Sequence, residues 1–165
     1  MYEENEKKVR IGMAEMIVAR NPAIITTTVG SCIALCMYDS INRIGGMVHI
    51  VLPKKEDFDK KNLDPVQKYA DTAVPALYSA LISKGAKKEC IKAKMAGGAN
   101  MFPKFTHPIL KIGMDNANAV REKLAELGIP LAAEDTGGNH GRIIEFEVGS
   151  GAMKINTINK KERKI

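Results

Sequence analysis

The sequence contains no apolar stretch long enough for a membrane-spanning helix, which needs about 20 apolar residues in succession. Its first residues, MYEENEKK, are charged and are not followed by the apolar segment of a secretory signal peptide. Internal repeats and low-complexity segments are also missing, so a repeat architecture is not predicted. We therefore expect a cytoplasmic protein that does not insert directly into a membrane.

Cysteine and aromatic residues are scarce. The three cysteines, Cys32, Cys36 and Cys90, are an odd number in a chain too large to need disulfides, so we expect free thiols in a reducing compartment. Aromatic residues make up 5% of the chain and are not interleaved with the basic residues. This pattern argues against a nucleic-acid partner, despite the net charge of +6.

Part of the positive charge lies in two lysine-rich runs, residues 54–61 and 160–164. Such runs are usually solvated loops or frayed chain ends, and they can also attract an acidic partner. The sequence leaves both interpretations open.

The apolar pattern predicts more strands than helices, with several strands joined as hairpins. A short helix directly after Cys32 is an alternative to the first half of one hairpin. We predict an α+β layered fold in a single domain over residues 1–165, with a core from about 11 to 158 and a basic C-terminal tail, 159–165. The predicted strands cover residues 9–19, 24–29, 32–38, 44–52, 90–96, 130–134, 142–148 and 152–158, and the predicted helices cover about 64–84 and 115–127.

The segment TTTVGSC, residues 26–32, carries the strongest chemical signal. A β-branched strand runs into Gly30 and Ser31 and presents Cys32 directly after the bend. A bend at glycine frees backbone N–H groups, which can stabilise an oxyanion. A thiol needs a base to become a nucleophile, and His49 on the next apolar run is the nearest histidine.

Other interpretations of these residues compete with catalysis. Cysteine is among the most buried residue types, so Cys32 and His49 can also be inert core residues. A metal site is a further alternative, with Cys32 and Cys36 joined by His49 or Cys90, although no Cys-x-x-Cys pair is present. The glycine pairs 97–98 and 137–138 lack the spacing of phosphate-binding loops and favour close backbone packing around a site.

At this point several separated motifs, in order from about Ile11 to Val148, resemble CheD-type chemoreceptor glutamine deamidases. The matching residues are Gly30-Ser31-Cys32, His49, Leu52-Pro53, Tyr69-Ala70-Asp71, Gly97-Gly98-Ala99-Asn100-Met101-Phe102, Ile112-Gly113, Asn116, Glu134-Asp135-Thr136-Gly137-Gly138-Asn139 and Arg142.

The resemblance implies a cysteine hydrolase, without a cofactor or a metal, that converts glutamines of methyl-accepting chemotaxis receptors to glutamate. It implies that Cys32 is the nucleophile, that His49 is the base and that Thr26 orients the histidine. The family fold is similar to that of bacterial toxin deamidases, a layered α/β sandwich with mixed β-sheets.

The same resemblance implies a second partner, a CheC-type phosphatase of the chemotaxis response regulator. If the chain has little catalytic activity of its own, it is a binding module for that phosphatase. We expect the contact at the loop that carries Gly98, Met101 and Phe102. Methylesterase and transglutaminase activities use the same thioester chemistry and stay open as alternatives.

Overall fold

The structure is a computed structural model that describes residues 7–107, 111–158 and 160–165. The first six residues of the predicted domain and Asn159 of the predicted tail lie outside the described residues. No helix in the part of the chain described here is both long enough and apolar enough to cross a membrane.

The described strands form two five-stranded sheets, each with one parallel pair among antiparallel pairs. The first sheet has the order β1 (Lys7–Arg10), β3 (Ala23–Val29), β8 (Arg142–Glu147), β9 (Met153–Asn156), β10 (Arg163–Lys164). The second sheet has the order β2 (Met16–Arg20), β5 (Ile44–Ile50), β4 (Ile33–Asp39), β6 (Ile91–Gly97), β7 (Leu131–Thr136).

The helices cover the outer face of the second sheet. α2 (Ala70–Lys84) packs on β5, β2 and β4, and α3 (Ile112–Leu127) packs on β4, β7 and α2. Shorter turns are α1 (Lys55–Phe58) and the 3₁₀ segments Val66–Lys68 and Lys88–Cys90. The layers therefore follow the order sheet, sheet, helices, and the predicted α+β sandwich with mixed sheets is confirmed. Its likeness to toxin deamidases stays a prediction.

Two apolar clusters separate these layers. One lies between the helices and the second sheet, and the other lies between the two sheets. Every residue of β4 and β5 is buried, because both faces of these central strands are covered. This explains why their sequences are almost continuously apolar, and it shows that the chain after Cys32 forms a strand rather than the alternative short helix.

Three predicted elements differ from the structure. The single strand predicted over 9–19 is two strands, β1 and β2, in different sheets, because the chain turns at residues 12–15. The first helix begins at Ala70 rather than near Asp64, after a 3₁₀ turn. The tail is not a frayed end, since Arg163–Lys164 pairs with β9 as β10.

Candidate active site

Cys32 lies in the connection between the two sheets. β3 of the first sheet ends at Val29 and β4 of the second sheet begins at Ile33, so residues 30–32 carry the chain from one sheet to the other. The Cys32 side chain is half-buried and packs against the apolar cluster between the sheets.

His49 lies on β5, on the face that is directed towards the first sheet. Its partner on β4 is Ala34, which belongs to the cluster between the sheets. Because Cys32 precedes Ala34 by two residues, the two side chains share a face, and Cys32 is a diagonal neighbour of His49. Diagonal neighbours on antiparallel strands are about 7–8 Å apart. The strand register therefore places both predicted residues at the same end of the second sheet, on the face towards the first sheet.

Thr27 reaches across from the first sheet to His49. Its Oγ1 lies 2.8 Å from Nδ1 of the imidazole, and the same hydroxyl donates a hydrogen bond to the carbonyl oxygen of Ile11 at 2.9 Å. Both side chains are buried, with 1% of Thr27 and 4% of His49 exposed. This contact joins the two sheets at the site.

This geometry corrects the prediction that Thr26 orients the histidine. Side chains alternate along β3, and Thr27 shares the inner face with Ile25 and Val29, which belong to the cluster between the sheets. Thr26 is directed to the opposite face, as is Thr28, whose hydroxyl accepts a hydrogen bond from Arg10. Ile25 and Val29, two residues before and after Thr27, are apolar. This alternation is the sequence signal that places Thr27 on the inner face.

The hydrogen bonds of Thr27 determine which imidazole nitrogen is protonated. A threonine hydroxyl has one proton, and the Ile11 carbonyl oxygen can only accept. Oγ1 therefore donates to Ile11 and accepts a hydrogen bond from Nδ1–H of His49. The other nitrogen, Nε2, carries the lone pair, and it is buried without a hydrogen-bond partner among the described residues. Nε2 is thus available to accept a proton.

Burial favours the neutral form of both reactive groups. It raises the pKa of the Cys32 thiol above its ordinary value, because the thiolate is poorly solvated there. It also lowers the pKa of His49, an effect that the carboxylate of Glu15 partly opposes. Glu15 lies on the turn that holds His49, since His49 N–H donates to the Glu15 carbonyl and Ala14 N–H donates to the His49 carbonyl, both at 3.0 Å.

All three carbonyl groups of residues 30–32 are anchored to neighbouring elements. Gly30 accepts a hydrogen bond from Ala99 N–H at 3.0 Å and Cys32 accepts one from Gly98 N–H at 2.9 Å. Ser31 accepts one from the side-chain amide of Asn116 at 3.1 Å. Within residues 7–107, 111–158 and 160–165, the N–H groups of Ser31 and Cys32 donate to no acceptor. The bend thus offers two free amides beside the thiol.

Gly97 allows β6 to approach the backbone of Cys32 closely enough for these hydrogen bonds. Its φ is +122°, and a Cβ atom there would lie 2.1 Å from the carbonyl oxygen of Cys32. Any other residue would push the cysteine loop away from β6. The expected role of this glycine pair in close backbone packing is confirmed.

Asn116 and Arg142 were not predicted as site residues, although both belong to the resembling motifs. Asn116 is fully buried and also donates to the Val51 carbonyl at 2.9 Å, so it joins the ends of β4 and β5. Arg142 is 2% exposed and donates to the carbonyl oxygen of Gly97 at 3.3 Å. The signal for Asn116 is a polar residue on the apolar stripe of α3, between Gly113 and Val120.

The residues predicted to contact a partner lie next to the cysteine loop. The side chain of Met101 covers Gly30, and Met101 and Phe102 are 42% and 58% exposed. The rings of Phe102 and Phe105 meet edge to face at 6.4 Å. Gly98 is buried and contributes backbone rather than exposed surface.

The metal alternative finds no geometric support in the described part of the chain, where no three potential ligands are clustered. Cys36 is fully buried in the cluster between the sheets. Cys90 lies next to Ile91, which pairs with Asp39 at the far end of β4. It is therefore a strand's length from Cys32.

Comparison with known proteins identifies close relatives. The chain matches the family model described as CheD chemotactic sensory transduction over residues 51–157. The probable chemoreceptor glutamine deamidase CheD of Moorella thermoacetica is 46% identical, with 93% of each chain covered. The protein of that name from Desulfitobacterium hafniense is 44% identical over 95% of this chain and 98% of its own. The chemoreceptor glutamine deamidase CheD of Halalkalibacterium halodurans is 42% identical with the same coverage.

Among solved structures, the hypothetical protein YfiH of Bacillus licheniformis matches with a TM-score of 0.47 and 12% identity. The match covers 73% of this chain and 49% of that one, and the likeness is too low to support an argument about function.

Proposed function

Because this chain belongs to the CheD family, we propose that it is a protein-glutamine deamidase that converts glutamines of methyl-accepting chemotaxis receptors to glutamate. Cys32 is the nucleophile, His49 is the base, and Thr27 orients the base. The observation that carries this assignment is the hydrogen bond from Nδ1–H of His49 to Thr27, which leaves Nε2 unpartnered on the face that Cys32 shares.

The reaction begins when His49 accepts the Cys32 proton at Nε2. The thiolate attacks the carboxamide carbon of the glutamine, and the N–H groups of Ser31 and Cys32 stabilise the oxyanion that forms. As the C–N bond breaks, His49 returns the proton to the leaving nitrogen and ammonia departs, leaving a thioester. His49 then takes a proton from water, whose oxygen attacks the thioester. As the C–S bond breaks, His49 returns this proton to the sulfur, which releases the glutamate product and restores the thiol.

The neutral resting state decides how the first proton moves. Burial raises the pKa of Cys32 and lowers the pKa of His49, which favours the neutral thiol and imidazole over the thiolate–imidazolium pair in the free protein. The proton is therefore transferred as the substrate approaches, when the attack on carbon stabilises the sulfur. Thr27 stabilises the imidazolium through the hydrogen bond it accepts from Nδ1–H.

Replacing the nucleophile tests this proposal. We expect Cys32→Ala to fold normally and to release no ammonia from receptor cytoplasmic fragments, because no thioester can form. Cys90→Ala removes a half-buried thiol at the far end of the sheet and should retain activity. Mass spectrometry of the fragments detects the small mass increase of amide-to-acid conversion. Full conversion by Cys32→Ala would refute the mechanism.

We also propose a CheC-type phosphatase as a binding partner, at the surface formed by Met101, Phe102 and Phe105. In support, three large apolar side chains are exposed there, next to the cysteine loop, and such clusters mark protein interaction sites. Phe102→Glu should weaken binding, measured by calorimetry, and Cys32→Ala should not. Equal affinity of Phe102→Glu and the unaltered protein would remove this surface.

The proposed reaction also implies a cytoplasmic location, because the cytoplasmic domains of the receptors and reduced thiols are both present there. All three cysteines are free, as expected in a reducing compartment. Cell fractionation with an antibody to the protein tests this, and recovery in an oxidising compartment would contradict it.

A further inference from the structure

A basic pocket of about 270 Å³ lies between the loop after β7 and the C-terminal segment. Among its described lining residues, Arg142, Lys160, Lys161 and Arg163 carry four positive charges, against the single negative charge of Asp135. An excess of three positive charges around one small pocket favours an anion. The remaining lining residues are Thr136, Gly138, His140, Ile155 and Thr157.

Arg142 connects this pocket to the cysteine loop. Its guanidinium donates to Asp135 and to the Gly137 carbonyl, both at 3.0 Å, and to the carbonyl oxygen of Gly97. Gly97 in turn packs directly on the backbone of Cys32. The guanidinium forms an ion pair with Asp135 at 3.0 Å, and its buried Nε has no hydrogen-bond partner among the described residues. The pocket is therefore connected to the cysteine loop through Arg142 and Gly97.

The chain directly after the two lysines pairs with the first sheet. Beyond them, β10 pairs with β9, and Ile165 exchanges two backbone hydrogen bonds with Met153 at 2.9 and 3.0 Å. Arg163 is fixed by an ion pair with Asp135 at 3.0 Å. Burial lowers the pKa of His140, and the nearby charge of Lys160 lowers it further. Lys160, Lys161 and Arg163 lie beyond the segment 51–157 that matches the family model.

We propose that this basic pocket binds carboxylate side chains of the protein substrate, next to the glutamine that Cys32 attacks. The inference rests on the proposed function and adds a preference for glutamines in an acidic sequence context. Lys160 and Lys161 are exposed, so each attracts a free anion only weakly. A carboxylate on a substrate already held at Cys32 reaches the pocket at high effective concentration, which makes the same charges selective.

The test compares the unaltered protein and two double variants on two substrates. The first variant, Lys160→Glu with Lys161→Glu, reverses the charge at the pocket. The control, Lys87→Glu with Lys88→Glu, makes the same charge change at exposed residues before β6, at the far end from Gly97. Each is assayed on a receptor cytoplasmic fragment and on the same fragment with acidic residues near the target glutamine replaced by alanine, which creates no new amide.

We expect the pocket variant to raise KM for the acidic fragment about five- to tenfold at low salt, with a smaller effect at high salt. The increase should shrink when the acidic residues are replaced by alanine, because the two changes remove one interaction. Equal effects on both fragments, or an equal effect of the control variant, would overturn the inference.

The outcomes also separate this inference from the proposed function. If the unaltered protein deamidates neither fragment, the proposed function fails. If the unaltered protein deamidates both fragments and the pocket variant has the same KM as the unaltered protein on each, only the preference for acidic substrates is refuted.

Discussion

Replacement of Thr27 by valine tests the correction from Thr26 to Thr27. Valine has the shape of threonine without the hydroxyl, so the main change is the loss of the hydrogen bond to His49 Nδ1 and of the bond to the Ile11 carbonyl. The imidazole is almost fully buried, and water cannot replace the lost partner. The charged imidazolium formed during the reaction loses more than the neutral ring.

The size of the effect follows from these contacts. A hydrogen bond to a charged group contributes about 1.5–3 kcal/mol, and each 1.36 kcal/mol of barrier is a factor of ten in rate, so we expect a roughly 10- to 150-fold lower kcat. KM should change little, because the hydroxyl is buried behind the histidine and does not face the substrate.

Two further variants serve as controls in assays of ammonia release from receptor fragments. Thr27→Ser keeps the hydroxyl and should recover most of the activity. Thr26→Val makes the same chemical change on the opposite face of β3 and should be active. Thermal unfolding of each variant separates loss of function from loss of fold. An active Thr27→Val, or an equally inactive Thr26→Val, would refute the assignment.

Two other predictions concern the electrostatics and the packing of the cysteine loop. Since burial raises the pKa of Cys32 above 9.0, alkylation of Cys32 by iodoacetamide should be slow at neutral pH and should still be rising as the pH passes 9.0. Burial also lowers the pKa of His49 below 6.5. Deamidation should fall as the pH drops through a value below 6.5, where His49 becomes protonated; rapid alkylation near pH 6 would instead indicate a preformed thiolate. Gly97→Ala should lower the free energy of unfolding by roughly 3 kcal/mol, since its Cβ would strike the Cys32 carbonyl. Gly128→Ala, also at positive φ but with nothing near its Cβ, should cost about 1 kcal/mol in the same urea titration, and equal losses would contradict the packing argument.

The central part of the fold was predictable because its signals are local. The β-branched run predicted β3, and the two apolar runs predicted the β4–β5 hairpin, since strands buried on both faces need apolar side chains throughout. Gly85 and Gly128 both adopt the left-handed conformation and end α2 and α3 where the sequence predicted.

The elements that differed depend on contacts distant in sequence. The apolar residues from 9 to 19 read as one strand, and only the pairing of Val9 with Ile25 and of Val18 with Gly46 places them in two sheets. The basic composition of residues 160–164 predicts a solvated end, and the pairing of Arg163 with Ile155 is not visible in it.

The residues of the candidate site also divide into those indicated by local patterns and those whose role depends on contacts distant in sequence. The placement of Cys32 at a bend and of His49 on the neighbouring hairpin was predictable, because both are local patterns, and their catalytic roles stay a prediction. The assignment of Thr26 differed from the structure by one residue, which reverses the face on a strand. The place of Asn116 on the apolar stripe of α3 indicates that it is buried, but its hydrogen bonds to the backbone carbonyls of Ser31 and Val51 join segments distant in sequence and cannot be read from spacing.

The contact between Thr27 and His49 bridges two separate layers, while the nucleophile lies on the segment that links them. Catalysis therefore depends on the distance between the two sheets. An increase of about an ångström would break the hydrogen bond between Thr27 and His49 while every strand stayed intact. The apolar cluster between the sheets sets this distance. A substitution deep in that cluster, far from any reacting atom, can abolish activity without unfolding the protein.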